Sequence, residues 1–198
     1  MFNTKPKFRL TPTTLLVAAN ILVYIYTSVQ GGNFIQTGYD ELVTFGQINR
    51  MVSSGQYWQM LTSMFVHVDI VHIALNMIFL LIFGFRAEEL FKPEEYFTIY
   101  ILSGLAGNVF TLFLVPDYII SAGASGAIFG IYGANIIYMR KTFGQSIIGA
   151  LFYAFLLLAL TTGEQVNVVA HFGGLVAGLA IGYILAKMLR DMFWIEEY

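Results

Sequence analysis

Ser125 lies in Gly123-Ala124-Ser125-Gly126-Ala127 at the start of one strongly apolar segment, and His171 lies in Ala170-His171-Phe172-Gly173-Gly174 at the start of another. A hydroxyl and an imidazole placed where lipid should surround the chain are functional candidates, because polar groups at such depth are costly. A serine whose proton passes to a neutral imidazole is the combination that acyl transfer needs. That chemistry also needs donors aimed at the oxyanion of a tetrahedral intermediate, commonly a side-chain amide and a backbone N–H. Asp69 is a suitable N-cap for a third apolar segment, and His72 and Asn76 follow it four residues apart on one helical face. With the Ser125 backbone N–H, these two side chains are the candidate oxyanion donors. Taken alone, Asn76 bonded to a neighbouring helix explains its presence equally well.

Elements of one kind must position these groups. With 58% apolar residues, 11% charged residues and a mean hydropathy of +0.72, the chain exceeds what a water-soluble domain carries. Its 198 residues suit one membrane domain, and the expected fold class is an all-α polytopic bundle. Apolar segments predict six helices near 13–29, 70–85, 96–115, 124–139, 146–161 and 168–188. Most approach the roughly 20 residues that span a hydrocarbon core, while the second and fourth read as short. Lys5, Lys7, Arg9, Arg86, Lys92, Arg140, Lys141, Lys187 and Arg190 fall on one side and Arg50 on the other, which puts both termini in the cytoplasm of a cell (inner or plasma) membrane protein. The basic start and first apolar run lack an Ala-x-Ala cleavage pattern and read as a retained helix.

In this orientation the fourth and sixth helices both begin at the outer face, so Ser125 and His171 share a depth. Gly126, Gly130 and Gly133 on one helix and Gly174, Gly178 and Gly182 on the other let their backbones approach closely. At 100° per residue, His171 lies within about 60° of its three glycines and projects from the contact face. The same glycines also fit helix packing without catalysis.

These residues resemble the rhomboid intramembrane serine proteases, of the bacterial or archaeal type with a six-helix core. The resemblance runs from about Leu42 to Leu185 and includes Gly55-Gln56-Tyr57-Trp58, Thr62-Ser63-Met64-Phe65-Val66-His67, His72-x-x-x-Asn76, Glu88, Gly104 and Gly107, the Gly123-Ala124-Ser125-Gly126 run and Ala170-His171. It implies a six-helix rhomboid-like bundle with a water-filled cavity opening outward. It also implies Ser125 as nucleophile, His171 as base, oxyanion support from His72 and Asn76, and a loop at 31–66 partly embedded in the membrane. Gly123, Gly126, Gly174 and Gly178 would support the site. Two positions depart from the pattern: a common Trp-Arg pair reads Trp58-Gln59, and a common tyrosine four residues after the serine is Phe129. Phe129 keeps a ring to stack on His171 and lacks the hydroxyl. The implied partners are single-pass transmembrane protein substrates within the lipid bilayer, with no cofactor.

The residues favour a dyad over a triad, since Asp69, Glu88, Asp117 and Glu164 all fall at helix ends or in loops. Ser121, Gln165 and Asn167 at the outer helix ends could admit the water that releases an acyl-enzyme. Other chemistries lack their parts. No His-Glu-x-x-His motif occurs, and His67 and His72 are set about 140° apart on a helix, so no metal site is expected. Asp40 has no mate for an aspartyl pair, and a Gly-x-Ser-x-Gly elbow is not expected, since the sequence has neither that spacing nor a strand before it. A net charge of -2 without a basic cluster argues against nucleic acid. Two readings compete: an inactive rhomboid-like protein that binds transmembrane helices, expected to have lost its serine or histidine, and a transporter, expected to show internal repeats. The chain keeps both residues and shows no convincing repeat.

Overall fold

The computed structural model describes residues 10–144, 146–152 and 166–196, with side chains described to residue 189. Helix α1 (Pro12–Gln30) starts at a Thr11 capping box with proline at its first turn. Three short helices follow, α2 (Tyr39–Phe45), α3 (Asn49–Ser53) and α4 (Gln59–Thr62), with strand β1 (Gln47–Ile48) between the first two. Helices α5 (Ile70–Glu88) and α6 (Pro93–Leu114) come next, then strand β2 (Ile120–Ser121), α7 (Ser125–Phe143) and the long α8 (Val168–Glu196). Residues 148–152 are helical. The rest of the helix expected over 146–161 lies outside the described residues, as do Lys5, Lys7, Arg9, Glu164 and Gln165.

The chain is a helical polytopic membrane protein. Among the described residues, four helices are long and apolar enough to cross a membrane: Pro12–Gln30, Ile70–Glu88, Pro93–Leu114 and Val168–Leu189. Helix α7 is less apolar for a physical reason. Every residue from Gly126 to Ile136 is buried by its neighbours, so this helix meets protein rather than lipid.

The expectation of short second and fourth helices is corrected, because α5 and α7 each have 19 residues. Charged residues at their C-terminal ends continue the helix after the apolar pattern fades: Arg86 pairs with Glu89 beyond α5, and α7 runs through Arg140 and Lys141 to a left-handed Gly144 at φ 68°. Helix α6 begins three residues earlier than its apolar run, at Pro93, where the Lys92 N–H donates to Glu95 at 2.8 Å.

Helices α7 and α8 approach to backbone contact. A methyl added at Gly174 would sit 2.0 Å from the Gly126 carbonyl oxygen, and one at Gly178 would sit 1.9 Å from that of Gly130. At Gly182 the corresponding distance to the Ala134 carbonyl oxygen is 2.6 Å. Glycine is required at these crossings because any Cβ would force the helices apart.

The segment between α1 and α5 is held by buried amides. Gln47 Nε2 donates to the Asn108 carbonyl and to Asn49 Oδ1, both at 2.9 Å. Asn49 Nδ2 donates to the carbonyls of Thr111 at 2.8 Å and Val115 at 2.9 Å. Gln59, fully buried, accepts from the Ile48 N–H and donates to the Val43 carbonyl, each at 2.9 Å. β1 pairs antiparallel with β2, Gln47 opposite Ser121 and Ile48 opposite Ile120. The loop is thereby tied to the strand that leads into α7.

Candidate active site

Ser125 is the first residue of α7. The turn before it depends on Gly123, whose φ of +127° is one that side chains rarely adopt and whose Cβ would meet the His72 ring at 2.9 Å. The Gly123 N–H donates to the Ser63 carbonyl at 2.8 Å, fixing the turn to the end of α4. His171 is in the first turn of α8, and its Nε2 lies 2.7 Å from Ser125 Oγ. The Phe129 ring stacks on the imidazole with centroids 4.7 Å apart and planes inclined by 22°.

Asn76 and His72 face the same space. Asn76 Nδ2 donates one hydrogen to the His72 carbonyl at 2.9 Å, which leaves its second N–H for another acceptor. The Oδ1 atom of Asn76 and Nδ1 of His72 are buried without a hydrogen-bond partner. The Ser125 N–H belongs to the first turn of α7, whose amides have no partner within the helix. Ser125, His171, His72, Asn76, Phe129 and Asn167 line one cavity of about 260 Å³. The arrangement offers a serine oxygen, a base in hydrogen-bond contact with it, and several donors around a space where a carbonyl could enter.

The supporting glycines act through contact. Gly126 packs against the Ala170 carbonyl, where an added Cβ would lie 3.3 Å from the oxygen, and Gly107 meets the same carbonyl with a Cβ at 2.5 Å. Gly174 and Gly178 form the crossing already described. The carboxylates of Asp69 and Glu88 are engaged away from His171, and Asp117 is held through its backbone. Asp69 caps α5 through the His72 N–H at 2.7 Å, Glu88 accepts from the Thr13 N–H at 2.7 Å, and Asp117 stands in the turn between α6 and β2, where its carbonyl accepts from Arg50. Glu164 lies outside the described residues.

The sequence marks His67 only as a motif member and a poor metal ligand, whereas the structure places it at the site. It is fully buried, 5.1 Å from the His72 ring. Its Nδ1 bonds the Phe65 carbonyl at 3.2 Å and its Nε2 accepts from the Ala124 N–H at 3.4 Å. This sets the tautomer with the proton on Nδ1. Burial, then the neighbouring His72, pushes its pKa down to about 3. All three histidines of the chain therefore gather around the turn carrying Ser125. The signal available was a lone imidazole within the apolar run Met64-Phe65-Val66-His67-Val68.

Helices long and apolar enough to span a membrane, packed around a serine-histidine pair, define a polytopic membrane protein with a buried polar site. The Rhomboid domain family matches residues 54–188, and the chain belongs to the rhomboid family. It is 33% identical over 184 residues to Rhomboid protease GluP of Bacillus subtilis (strain 168), covering 89% of this chain and 34% of that protein. It is 34% identical over 145 residues to RHOMBOID-like protein 6, mitochondrial, of Arabidopsis thaliana, covering 69% of this chain and 46% of that one. With Rhomboid-like protease 3 of Toxoplasma gondii it shares 26% over 188 residues, or 89% and 70% of the two chains. The chain thus spans between a third and a half of the length of the first two relatives.

Proposed function

We propose that this chain is an intramembrane serine endopeptidase that cleaves single-pass transmembrane proteins near the outer membrane face with a Ser125–His171 dyad. The observation that carries this reading is the 2.7 Å approach of His171 Nε2 to Ser125 Oγ at a cavity enclosed by membrane-spanning helices. His171 takes the Ser125 proton as Oγ attacks the substrate carbonyl, and the negative charge collects on the carbonyl oxygen. The free N–H of Asn76, His72 and the Ser125 backbone N–H stabilise that oxygen, helped by the positive end of α7. His171 then protonates the leaving amine, and water admitted through the cavity hydrolyses the acyl-enzyme. No cofactor enters the scheme.

Supporting the setting, Phe34, Ile35, Tyr39, Tyr57 and Trp58 on the 31–66 loop are all more than half exposed. Such aromatic and aliphatic tips suit partial embedding in the outer leaflet. The basic residues near the inner helix ends then put both termini in the cytoplasm. A peptide bond inside an intact helix is hydrogen-bonded and shielded, so substrates whose helices unwind near the outer face are the ones this site would cut.

The test is cleavage of a single-pass substrate in liposomes by the wild-type chain, Ser125→Ala and His171→Ala. Each substitution should lower the rate by at least about 10³-fold. Persistent cleavage by Ser125→Ala would remove the nucleophile from the scheme. Substrate binding without cleavage by the wild type would instead favour a rhomboid-like protein that holds transmembrane helices without cutting them.

A further inference from the structure

Asn167 stands four residues before His171, and Ser121 stands four residues before Ser125. The two are joined: Asn167 Nδ2 donates to Ser121 Oγ at 2.9 Å and to Thr111 Oγ1 at 2.8 Å. Its Oδ1 accepts from the Ala170 N–H at 3.0 Å, capping α8 immediately before the base. One carboxamide therefore spends both hydrogens and its oxygen on three separate elements, α6, β2 and α8.

We infer that Asn167 is a positioning residue that clamps the lead-in to the nucleophile against the first turn of the helix carrying the base. The inference rests on the serine-hydrolase reading above. Capping alone does not account for the residue, since a helix cap needs one acceptor and serine or aspartate supplies it. The two donated bonds go to elements remote in sequence from α8. Each receiving hydroxyl is itself fixed, Thr111 by donating to the Gly107 carbonyl at 2.9 Å and Ser121 by its place in β2 opposite Gln47. Cavities of about 260 and 340 Å³ share Asn167 and Ser121 as walls. Close packing that would otherwise fix the separation of β2 and α8 is missing there. The Ser125–His171 contact between α7 and α8 thus lies beside a second cross-link, between α8 and the strand β2 that leads into α7.

The experiment compares the wild-type chain in liposomes with Asn167→Ser, which keeps a cap but is too short to reach both hydroxyls, with Ser121→Ala, and with the double variant. Three readouts are taken: kcat and KM on a transmembrane substrate, the rate of Ser125 labelling by a fluorophosphonate, and the thermal midpoint. Asn167→Ser should lower kcat and the labelling rate together by about 10- to 100-fold with KM within about twofold. Ser121→Ala should act in the same direction by a smaller factor, and should add little in the Asn167→Ser background because the cross-link is already broken. A purely structural role would lower the midpoint while leaving kcat and labelling of the folded protein unchanged, and that result overturns the inference. So does full additivity in the double variant. If Asn167→Ser fails to fold, Ser121→Ala alone decides, and an unaltered labelling rate refutes the clamp. A wild-type chain that neither cleaves nor labels at Ser125 sinks the hydrolase reading itself, whereas an active wild type with an equally active Asn167→Ser sinks only the clamp.

Discussion

Gly178 lies about two helical turns below His171, roughly 10 Å along α8, and touches no candidate catalytic residue. Gly178→Ala should nevertheless disable the site. The added methyl would start 1.9 Å from the Gly130 carbonyl oxygen, and real Cβ contacts essentially never fall below 3.0 Å. The obstacle is backbone, so it cannot rotate away, and α7 and α8 must separate locally by about 1 Å or tilt by an equivalent amount. Carried to the N-terminal ends of the two helices, that movement takes the 2.7 Å Ser125–His171 contact out of hydrogen-bond reach. A misplacement of about 1 Å in a reacting pair is worth on the order of 10²-fold in rate, and overpacking of this kind destabilises by about 1–3 kcal/mol. The assay is kcat on a reconstituted transmembrane substrate beside the thermal midpoint, run on a graded series. Gly178→Ala and Gly174→Ala, whose methyls start at 1.9 and 2.0 Å, should be worst. Gly182→Ala at 2.6 Å should be intermediate and Gly126→Ala at 3.3 Å mildest. Wild-type kcat in Gly178→Ala, or an order unrelated to these distances, would refute the argument that the helix crossing sets the dyad distance.

Two further outcomes follow from buried polar groups. Gln59→Leu strands the Ile48 N–H and the Val43 carbonyl, and at about 1–3 kcal/mol for each unpaired group the fold should weaken by about 2–6 kcal/mol in an unfolding titration. Gln59→Arg should also destabilise this chain, despite restoring the common Trp-Arg pair, because a guanidinium cannot accept from the Ile48 N–H; an unchanged midpoint in both variants would show that the loop does not depend on this amide. His67 is held at about 3 in the folded chain against an ordinary value of 6.5, so the unfolded chain binds the extra proton between those values. Its contribution to stability is complete above about pH 6.5 and declines as pH falls toward 3, by about 2–3 kcal/mol between pH 7.5 and 4.5. Unfolding titrations at these two pH values should show a loss that His67→Gln reduces, and equal losses in the two proteins would count against a buried neutral imidazole.

The parts legible in the sequence were those with long-range order. Glycines recurring on two apolar helices announced a close crossing, and Asp69 announced the start of α5. Helix ends were less legible wherever charge replaced the apolar pattern, although Pro93 with Glu95 and Gly144 were available as end signals and would have placed α6 and α7 better. The segment from α1 to α5 was opaque for a different reason. Helices of four to seven residues and strands of two are too short to print a periodicity. Its fixing groups, Gln47, Asn49 and Gln59, are polar side chains that composition assigns to a surface, yet all three are buried. Gln59 shows the limit most clearly. Against the family pattern it is a missing arginine, whereas in the structure its amide both accepts from the Ile48 N–H and donates to the Val43 carbonyl.

Apolar and polar support thus divide the work at the dyad. Backbone contact along the glycine face sets how near α7 and α8 come, but two helices in such contact can still slide or rotate, since dispersion is weakly directional. Hydrogen bonds remove that freedom at the N-terminal ends of the two helices: His67 holds the Ala124 N–H, Ser63 holds the Gly123 N–H, and Asn167 joins β2, α6 and α8. The Gly123 and Asn167 bonds occur where the cavities interrupt close packing. On the proposed hydrolytic reading the site must admit water and cannot be filled with side chains, so its geometry falls to bonds around the cavity rim, such as those of Asn167, together with the glycine crossing beneath it.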